Sequence, residues 1–341
     1  MANRAQNATT RHTICGVAGL LSILWAMPAI AEPTDDQVGG RPARIVSFCF
    51  RPRPFEDVIN AVDREGAKGA DLIILPELWR GQSDDSMESL TGRSVTALRE
   101  LAKRHKTYII TPIDRIDQGR RFNSAVVLDR EGKVVGIYDK VFPYWSEFRH
   151  TNPVTVAERV PVIDTDFGRL GIAICFDVNF PEVWQELADQ DAELVVWPSA
   201  YSSGTSLQAH AINHHYYIVS ATWTGDCQVY DITGRRILDE RGDGIHISRI
   251  TLDLDRGIYH QNFNMTGRDK LLAEHASDIE EEVFLDREQW FVLSAKSPDV
   301  SARALAKQYG LEELRDYIRR SRAEMNRRRG GEISHTVVQS Q

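Results

Sequence analysis

Apolar residues fall along this chain in two rhythms. Short runs rich in β-branched residues recur at 44–50, 71–75, 107–112, 124–128, 134–138, 170–175, 194–197, 217–222 and 229–232, and a further strand is expected near Ile237. Each reads as a strand, and Pro76 and Pro198 are expected to stop two of them. Between them the spacing turns helical. Phe55, Val58, Ile59 and Val62 share one face, Leu98, Leu101 and Ala102 another, and helices are expected at 182–190 and 207–214. Asp129 to Gly132 and Asp231 to Gly234 read as turns. Strand and helix in alternation imply an α/β domain with helices covering sheets.

The pattern changes at both ends. Arg4, Arg11 and His12 precede an apolar run from Ile14 to Met27, and Ala29-Ile30-Ala31 follows. A basic start, a short apolar centre and a small-x-small end read as a secretory signal peptide cleaved after Ala31. The rival, a membrane anchor, needs a run of roughly 20 apolar residues. An exported protein, periplasmic or secreted, is expected. Beyond about residue 255 the periodicity loosens. Helices are expected at 301–309 and 311–329, broken at Gly310, the second ending in Arg327-Arg328-Arg329 where cations suit a helix C-terminus. The expected organisation is a signal peptide at 1–31, a lead-in at 32–43, the main domain at 44–285, a helical extension at 286–330 and a disordered tail at 331–341.

The 341 residues, 42% hydrophobic and 26% charged, are those of an ordinary globular protein. Loss of the signal removes Arg4 and Arg11 and no acid, so the formal charge moves from -8 to about -10. An acidic surface argues against nucleic acid as the main partner. Cys15 leaves with the signal. Cys49, Cys175 and Cys227 remain, an odd count that implies at least one free thiol and has no zinc spacing.

Three apolar strands each end on a reactive residue: Leu75-Pro76 delivers Glu77, Tyr138-Asp139 delivers Lys140, and Ala173-Ile174 delivers Cys175. Singly, each has a bland explanation, a buried small thiol or a solvated charge. Together they make a chemical set. A thiol titrates near 8.5 and needs a base or a cation to attack at neutral pH. Glu77 supplies the base, and Lys140 favours the thiolate and then the oxyanion of a tetrahedral intermediate.

The segments ILPELW at 74–79, YDKVFPYWSE at 138–147 and GIAICFDVNFPE at 171–182 together resemble the nitrilase superfamily of carbon–nitrogen hydrolases. NSAVVLDREGKVVG at 123–136 and LVVWPSA at 194–200 extend the likeness, which runs from about Arg44 to Asp255. The resemblance implies a four-layer α-β-β-α sandwich. It implies Glu77 as general base, Lys140 as charge stabiliser, Cys175 as nucleophile and Glu147 as a second glutamate that positions substrate. It also implies the Phe176 N–H as an oxyanion donor, no metal and no organic cofactor, and a homodimer or higher homo-oligomer. Phe176-Asp177 after the cysteine looks like the amidase and carbamoylase branches rather than the Trp-Glu of nitrilases. Asn179 stands where many carbamoyl-amino-acid hydrolases place an arginine for a substrate carboxylate, so Arg149 or His150 would have to substitute, or the substrate has no carboxylate. His210 and Asn213 depart from an Arg-Ala-x-Glu-Asn pattern of many relatives. The expected substrate is a small linear amide or N-carbamoyl compound; a nitrilase and an acyl-transferring enzyme are the alternatives. Trp145 and Trp197 are expected to line the pocket, with Asn179 beside them.

Other readings have weaker support. His210 and His214 sit four apart on a helix, but no glutamate of a His-Glu-x-x-His site accompanies them. The tail at 301–322 has a helix-turn-helix look, so a DNA-binding module is a rival, as is a catalytically dead fold used for binding.

Overall fold

Side chains along the central strands point alternately to two sides, and different partners fill the two sides. In β1 (Pro42–Cys49), Ala43, Ile45 and Cys49 face one core while Val46 and Phe48 face another. The same sorting separates Leu72 and Ile74 from Ile73 in β2 (Leu72–Ile74), and Ile110 from Ile109 in β3 (Tyr108–Asp117). With β4 (Arg120–Leu128) and β5 (Val134–Asp139) these strands form one sheet. A second sheet holds β6 (Ile163–Asp164), β7 (Arg169–Ile172), β8 (Leu194–Ser199), β9 (Tyr217–Thr222), β10 (Asp226–Tyr230) and β11 (Arg236–Arg241), in reverse order. The edge strand β12 (His246–Asp253) returns to the first sheet, antiparallel to β1. These features come from a computed structural model that describes residues 39–332. The expected signal peptide, residues 32–38 of the lead-in and residues 333–341 of the tail lie outside the described residues.

Three cores separate four layers. Helices α1 (Phe55–Gly66) and α2 (Arg93–His105) cover the outer face of the first sheet through Val58, Val62, Leu98 and Leu101. Helices α3 (Pro181–Asp189) and α4 (Gly204–His214) cover the second through Val183, Trp184, Leu187 and Leu207. Between the sheets lie Ile45, Ile74, Ile110, Leu170, Ile172, Val196 and Val219. This is the α-β-β-α sandwich. Each such buried side chain contributes about 1.5–3 kcal/mol. A one-residue slip of any strand would exchange its two faces, so register is tightly held.

Pro198 was expected to end a strand and does not, and a second proline lies inside a strand as well. β8 runs through Pro198, and β3 runs through Pro112. The hydrogen bonds explain both. The carbonyl of Val196 faces β7 and accepts the Ala173 N–H, so Pro198, two residues on, also faces β7, which has already ended. The carbonyl of Ile110 accepts the Leu75 N–H from the end of β2, and Pro112 again points past that end. Neither missing N–H removes a ladder bond.

The C-terminal part departs further from expectation. β13 (Gly257–His260), β14 (Ile279–Leu285) and β15 (Trp290–Ala295) form a three-stranded sheet beside α5 (Gln261–Glu274). The division expected after residue 285 falls inside the β14–β15 hairpin, so the segment 286–330 opens with a strand. Phe291 and Leu293 pack on α5 and its neighbours, whereas Val292 packs on the inter-sheet core. A strand buried on both faces shows no alternation to read. α6 (Ala302–Gln308) and α7 (Leu314–Arg329) follow, broken at the left-handed Gly310 (φ 77). The basic side of α7 is engaged within the fold. Arg315 donates to the Ala192 carbonyl at 2.6 Å, Arg319 pairs with Asp191, and Arg322 lies 3.2 Å from Asp189.

Candidate active site

The three strand ends converge. Glu77 follows β2, where the chain turns through a left-handed Leu78 (φ 43), and its side chain is buried. The Trp223 indole N–H donates to the Glu77 carbonyl at 2.5 Å and holds that turn. Lys140 follows β5, its N–H bonded to the Asn123 carbonyl at 2.9 Å. Glu147 sits at the centre of a single 3-10 turn, Trp145–Arg149, which turns this carboxylate inward and leaves Tyr144 and Trp145 exposed. Cys175 opens a second 3-10 turn, Cys175–Asn179, directly after β7 and the Ala173-Ile174 link. Its backbone is left-handed (φ 49). For a residue with a Cβ that conformation costs about 1–3 kcal/mol and is found mostly where a site requires it.

The side chains form a closed ring. Lys140 Nζ lies 2.9 Å from Glu77 Oε1 and 2.8 Å from Glu147 Oε2. Asn123 Nδ2 donates to Glu77 Oε1 at 2.8 Å and to Glu147 Oε1 at 2.9 Å. The Ala200 N–H donates to Glu77 Oε2 at 2.9 Å and also reaches the Cys175 sulfur. The Tyr144 N–H donates to Glu147 Oε2 at 2.7 Å. Burial opposes a charge on Lys140, but the carboxylates of Glu77 and Glu147 more than offset it and hold the ammonium well above its ordinary range. Glu147 is held below the usual carboxylate range despite burial, by Lys140 and by the Asn123 and Tyr144 donors. Burial and the Glu77 charge push the Cys175 thiol well up, and Lys140 only partly counters them. The resting sulfur is therefore a thiol with a base beside it, not the preformed thiolate that Lys140 was expected to favour.

Asp177 ties the nucleophile turn to the lysine loop. Its Oδ2 accepts the Tyr138 hydroxyl at 2.7 Å and the Ile174 N–H at 2.8 Å, and its Oδ1 accepts the Phe142 N–H at 2.9 Å. Burial nevertheless pushes its carboxyl up to about 6, against Lys140 and these donors. An acid raised in the folded state binds protons more tightly there than in the unfolded chain. Its contribution to stability is whole below about pH 4 and is lost as pH rises through 6, about 3 kcal/mol in all. Asp177→Ala should thus lose more stability at pH 4 than at pH 7 by about that amount. Urea unfolding at the two pH values measures the difference; equal losses reject it.

The expected residues divide. Glu77, Lys140, Glu147 and Cys175 come together. Phe176 follows the nucleophile, its ring edge-on to Tyr144 at 5.3 Å. Trp197 is fully buried and donates its indole N–H to the Cys175 carbonyl at 3.0 Å, so it braces the nucleophile from below rather than lining a pocket. Trp145 is 67% exposed and stacks edge-on with Phe148, because the turn that aims Glu147 inward points its neighbour out. Asn179 lies exposed and donates to the Phe176 carbonyl at 3.1 Å, closing its own turn. His210 stacks on Trp184 with ring centres 4.2 Å apart and binds the Val178 carbonyl at 2.9 Å, a core histidine rather than half of a metal pair. Among the described residues no cluster of three or more His, Cys, Asp or Glu has a metal-holding arrangement. Asn123, Ala200 and Trp223 were not foreseen. Nothing local marks Asn123, one of several polar residues in β4 beside Arg121 and Ser124.

Comparison with known proteins bears on the family and the fold. The family model described as carbon-nitrogen hydrolase matches residues 52–257. A deaminated glutathione amidase from Synechocystis is 27% identical over 54% of this chain and 77% of its own length. A chloroplastic omega-amidase from Arabidopsis thaliana is 27% identical over 48% of this chain and 51% of its own length. The chain spans about half the length of several of the curated relatives it matches. An amidase from Nesterenkonia, solved with the acetamide moiety of fluoroacetamide added covalently at its active-site cysteine, superposes with a TM-score of 0.54 over 63% of this chain and 93% of that one, at 22% identity. That likeness is one of fold. The match across most of the sandwich shows that the chain belongs to the carbon-nitrogen hydrolase family, within the nitrilase superfamily.

Proposed function

We propose that the protein hydrolyses a small linear amide or N-carbamoyl compound through a thioester on Cys175. The observation that carries this reading is Cys175, held in a left-handed turn, set beside Glu77, whose carboxylate is bound by Lys140 at 2.9 Å. Glu77 takes the thiol proton as sulfur attacks the carbonyl carbon. Lys140 has three N–H groups, two of them on carboxylates; the third and the Phe176 N–H receive the oxyanion. The C–N bond breaks, and Glu77 returns its proton to the departing amine. Glu77 then takes a proton from water, which attacks the thioester and releases the acid and the thiol. The covalent adduct on the cysteine of the Nesterenkonia amidase and the amidase names of the curated relatives support this chemistry. Phe176-Asp177 in place of Trp-Glu favours it over a nitrilase. Asn179 donates to the Phe176 carbonyl and carries no charge, so it offers no cation to a carboxylate, which favours a substrate without one at that place.

An ammonia-release screen over aliphatic amides, carbamoyl amino acids and nitriles tests the reading. Turnover of an amide or carbamoyl compound, an acyl adduct on Cys175 by mass spectrometry, and loss of turnover by at least about 10³-fold in Cys175→Ala are expected. Turnover of nitriles alone, or a Cys175→Ala variant as active as the parent, overturns it.

A further inference from the structure

We propose that Asn123 is a positioning residue whose side-chain amide holds the Glu77 and Glu147 carboxylates side by side in their ionised forms, so that Glu77 is a ready base when substrate arrives. This rests on Glu77 acting as the base for Cys175.

Asn123 is fully buried on β4. Both N–H groups of its amide point at carboxylate oxygens, 2.8 Å to Glu77 and 2.9 Å to Glu147. The opposite amide orientation would set its oxygen against two carboxylate oxygens, so the neighbours fix the assignment. The consequence is a buried Oδ1 with no hydrogen-bond partner among the described residues. An amide placed for stability alone would satisfy both of its ends. This one leaves its acceptor unmet in order to give both donors to one carboxylate pair. Its backbone serves the same cluster, because its carbonyl accepts the Lys140 N–H at 2.9 Å.

The reason for a neutral donor is electrostatic. Two carboxylates held this close repel, and without donors one of them takes up a proton. Lys140 relieves part of that repulsion. A second cation in the place of Asn123 would relieve the rest but would leave Glu77 a weaker base. An amide favours both ionised forms without adding charge. The titratable groups facing the pair are Lys140 from the end of β5, Cys175 from the turn after β7 and Tyr201 from the segment after β8, while Asp177 acts on Lys140. Gln82, 3.4 Å from Glu147 Oε1, is neutral. Arg121, two residues back on β4, is paired with Asp114.

Asn123→Ala removes the donors without adding charge, and Asn123→Asp keeps the shape but adds a third carboxylate. The rate of Cys175 alkylation by iodoacetamide, followed against pH by mass spectrometry, needs no substrate. For both variants its acid limb should move up by about one pH unit or more, further for Asp, with the rate at pH 6 down at least about tenfold. The acid limb of kcat/KM for ammonia release should move with it. Rates lowered equally at every pH, in variants whose melting shows them folded, overturn the proposal. Should Asn123→Ala not fold, the isosteric Asn123→Asp decides the matter alone. A parent protein whose Cys175 alkylates with no acid limb would instead reject Glu77 as the base, an outcome separate from the role of Asn123.

Discussion

Lys140→Met should reduce kcat/KM by at least about 10³-fold and also destabilise the fold by about 3–5 kcal/mol. Both effects have one origin. Lys140 is almost wholly buried between Glu77 and Glu147, and methionine fills nearly the same volume with no charge. The variant leaves two buried carboxylates facing each other with Asn123 as their shared donor. One of them must then take a proton at neutral pH, and the base for Cys175 is weakened as the oxyanion donor is lost. The sign with pH is fixed by the shifts. A lysine raised in the folded state contributes stability that is whole below its ordinary pKa and fades only as pH rises through its folded value, so the full contribution is present at pH 7. Glu147, held low, contributes above its ordinary pKa and loses that contribution in acid. The damage done by Lys140→Met should therefore shrink as pH falls toward 5, where a shared proton replaces the missing cation. Urea unfolding at pH 5 and pH 7 with ammonia-release assays measures both. A variant keeping a tenth of parent activity, or losing equal stability at both pH values, would contradict this account.

The difference between what the sequence allowed and what the structure adds is one of range. Strands with one-sided or two-sided apolar faces and helices with a clear stripe are local signals, and β1, α1, β9 and α7 were legible within a few residues. Glu77, Lys140 and Cys175 were legible because each follows an apolar run directly. Asn123 was not, because its importance lies in two carboxylates that approach it from positions 46 residues upstream and 24 downstream. The left-handed backbone of Cys175 was hidden too, since nothing in Ile-Cys-Phe announces a positive φ. Trp145 and Trp197 were misplaced for opposite reasons. One opens the turn that aims Glu147 inward, and the other lies on the helix-facing side of β8. Pro112 and Pro198 show that a proline ends a strand only where an N–H would have had a partner. β12 escaped notice because its apolar residues do not share one face: Ile250 and Leu252 meet the inter-sheet core, whereas Ile247 meets the core under α1 and α2.

Glu77→Gln separates the two halves of the reaction. Glutamine keeps the shape of Glu77, and its amide oxygen still accepts from Lys140 and Asn123, while its NH2 replaces the oxygen that accepted the Ala200 N–H and that one bond is lost. It cannot take a proton. With the Cys175 thiol pushed well up by burial, attack on an amide then lacks a proton acceptor, and the leaving amine lacks a donor. Loss of at least about 10³-fold in kcat/KM for amides is expected at every pH from 6 to 9. An activated ester needs no acid for its leaving group, so at the alkaline end it should still acylate Cys175 slowly. Water then has no base to activate it, and the acyl-enzyme should accumulate as a stoichiometric adduct on Cys175 in mass spectrometry. Alkylation of Cys175 loses its base in this variant as well. Burial still holds the thiol up, so the rate at pH 6 should fall and the profile should rise only where the thiol ionises unaided. That upward move has the same direction as the one expected for Asn123→Ala, which weakens the same base by favouring its protonated form. A Glu77→Gln profile that moved to lower pH would instead show that the Glu77 charge opposes the thiolate more than it assists proton transfer, and Glu77 would not be the base.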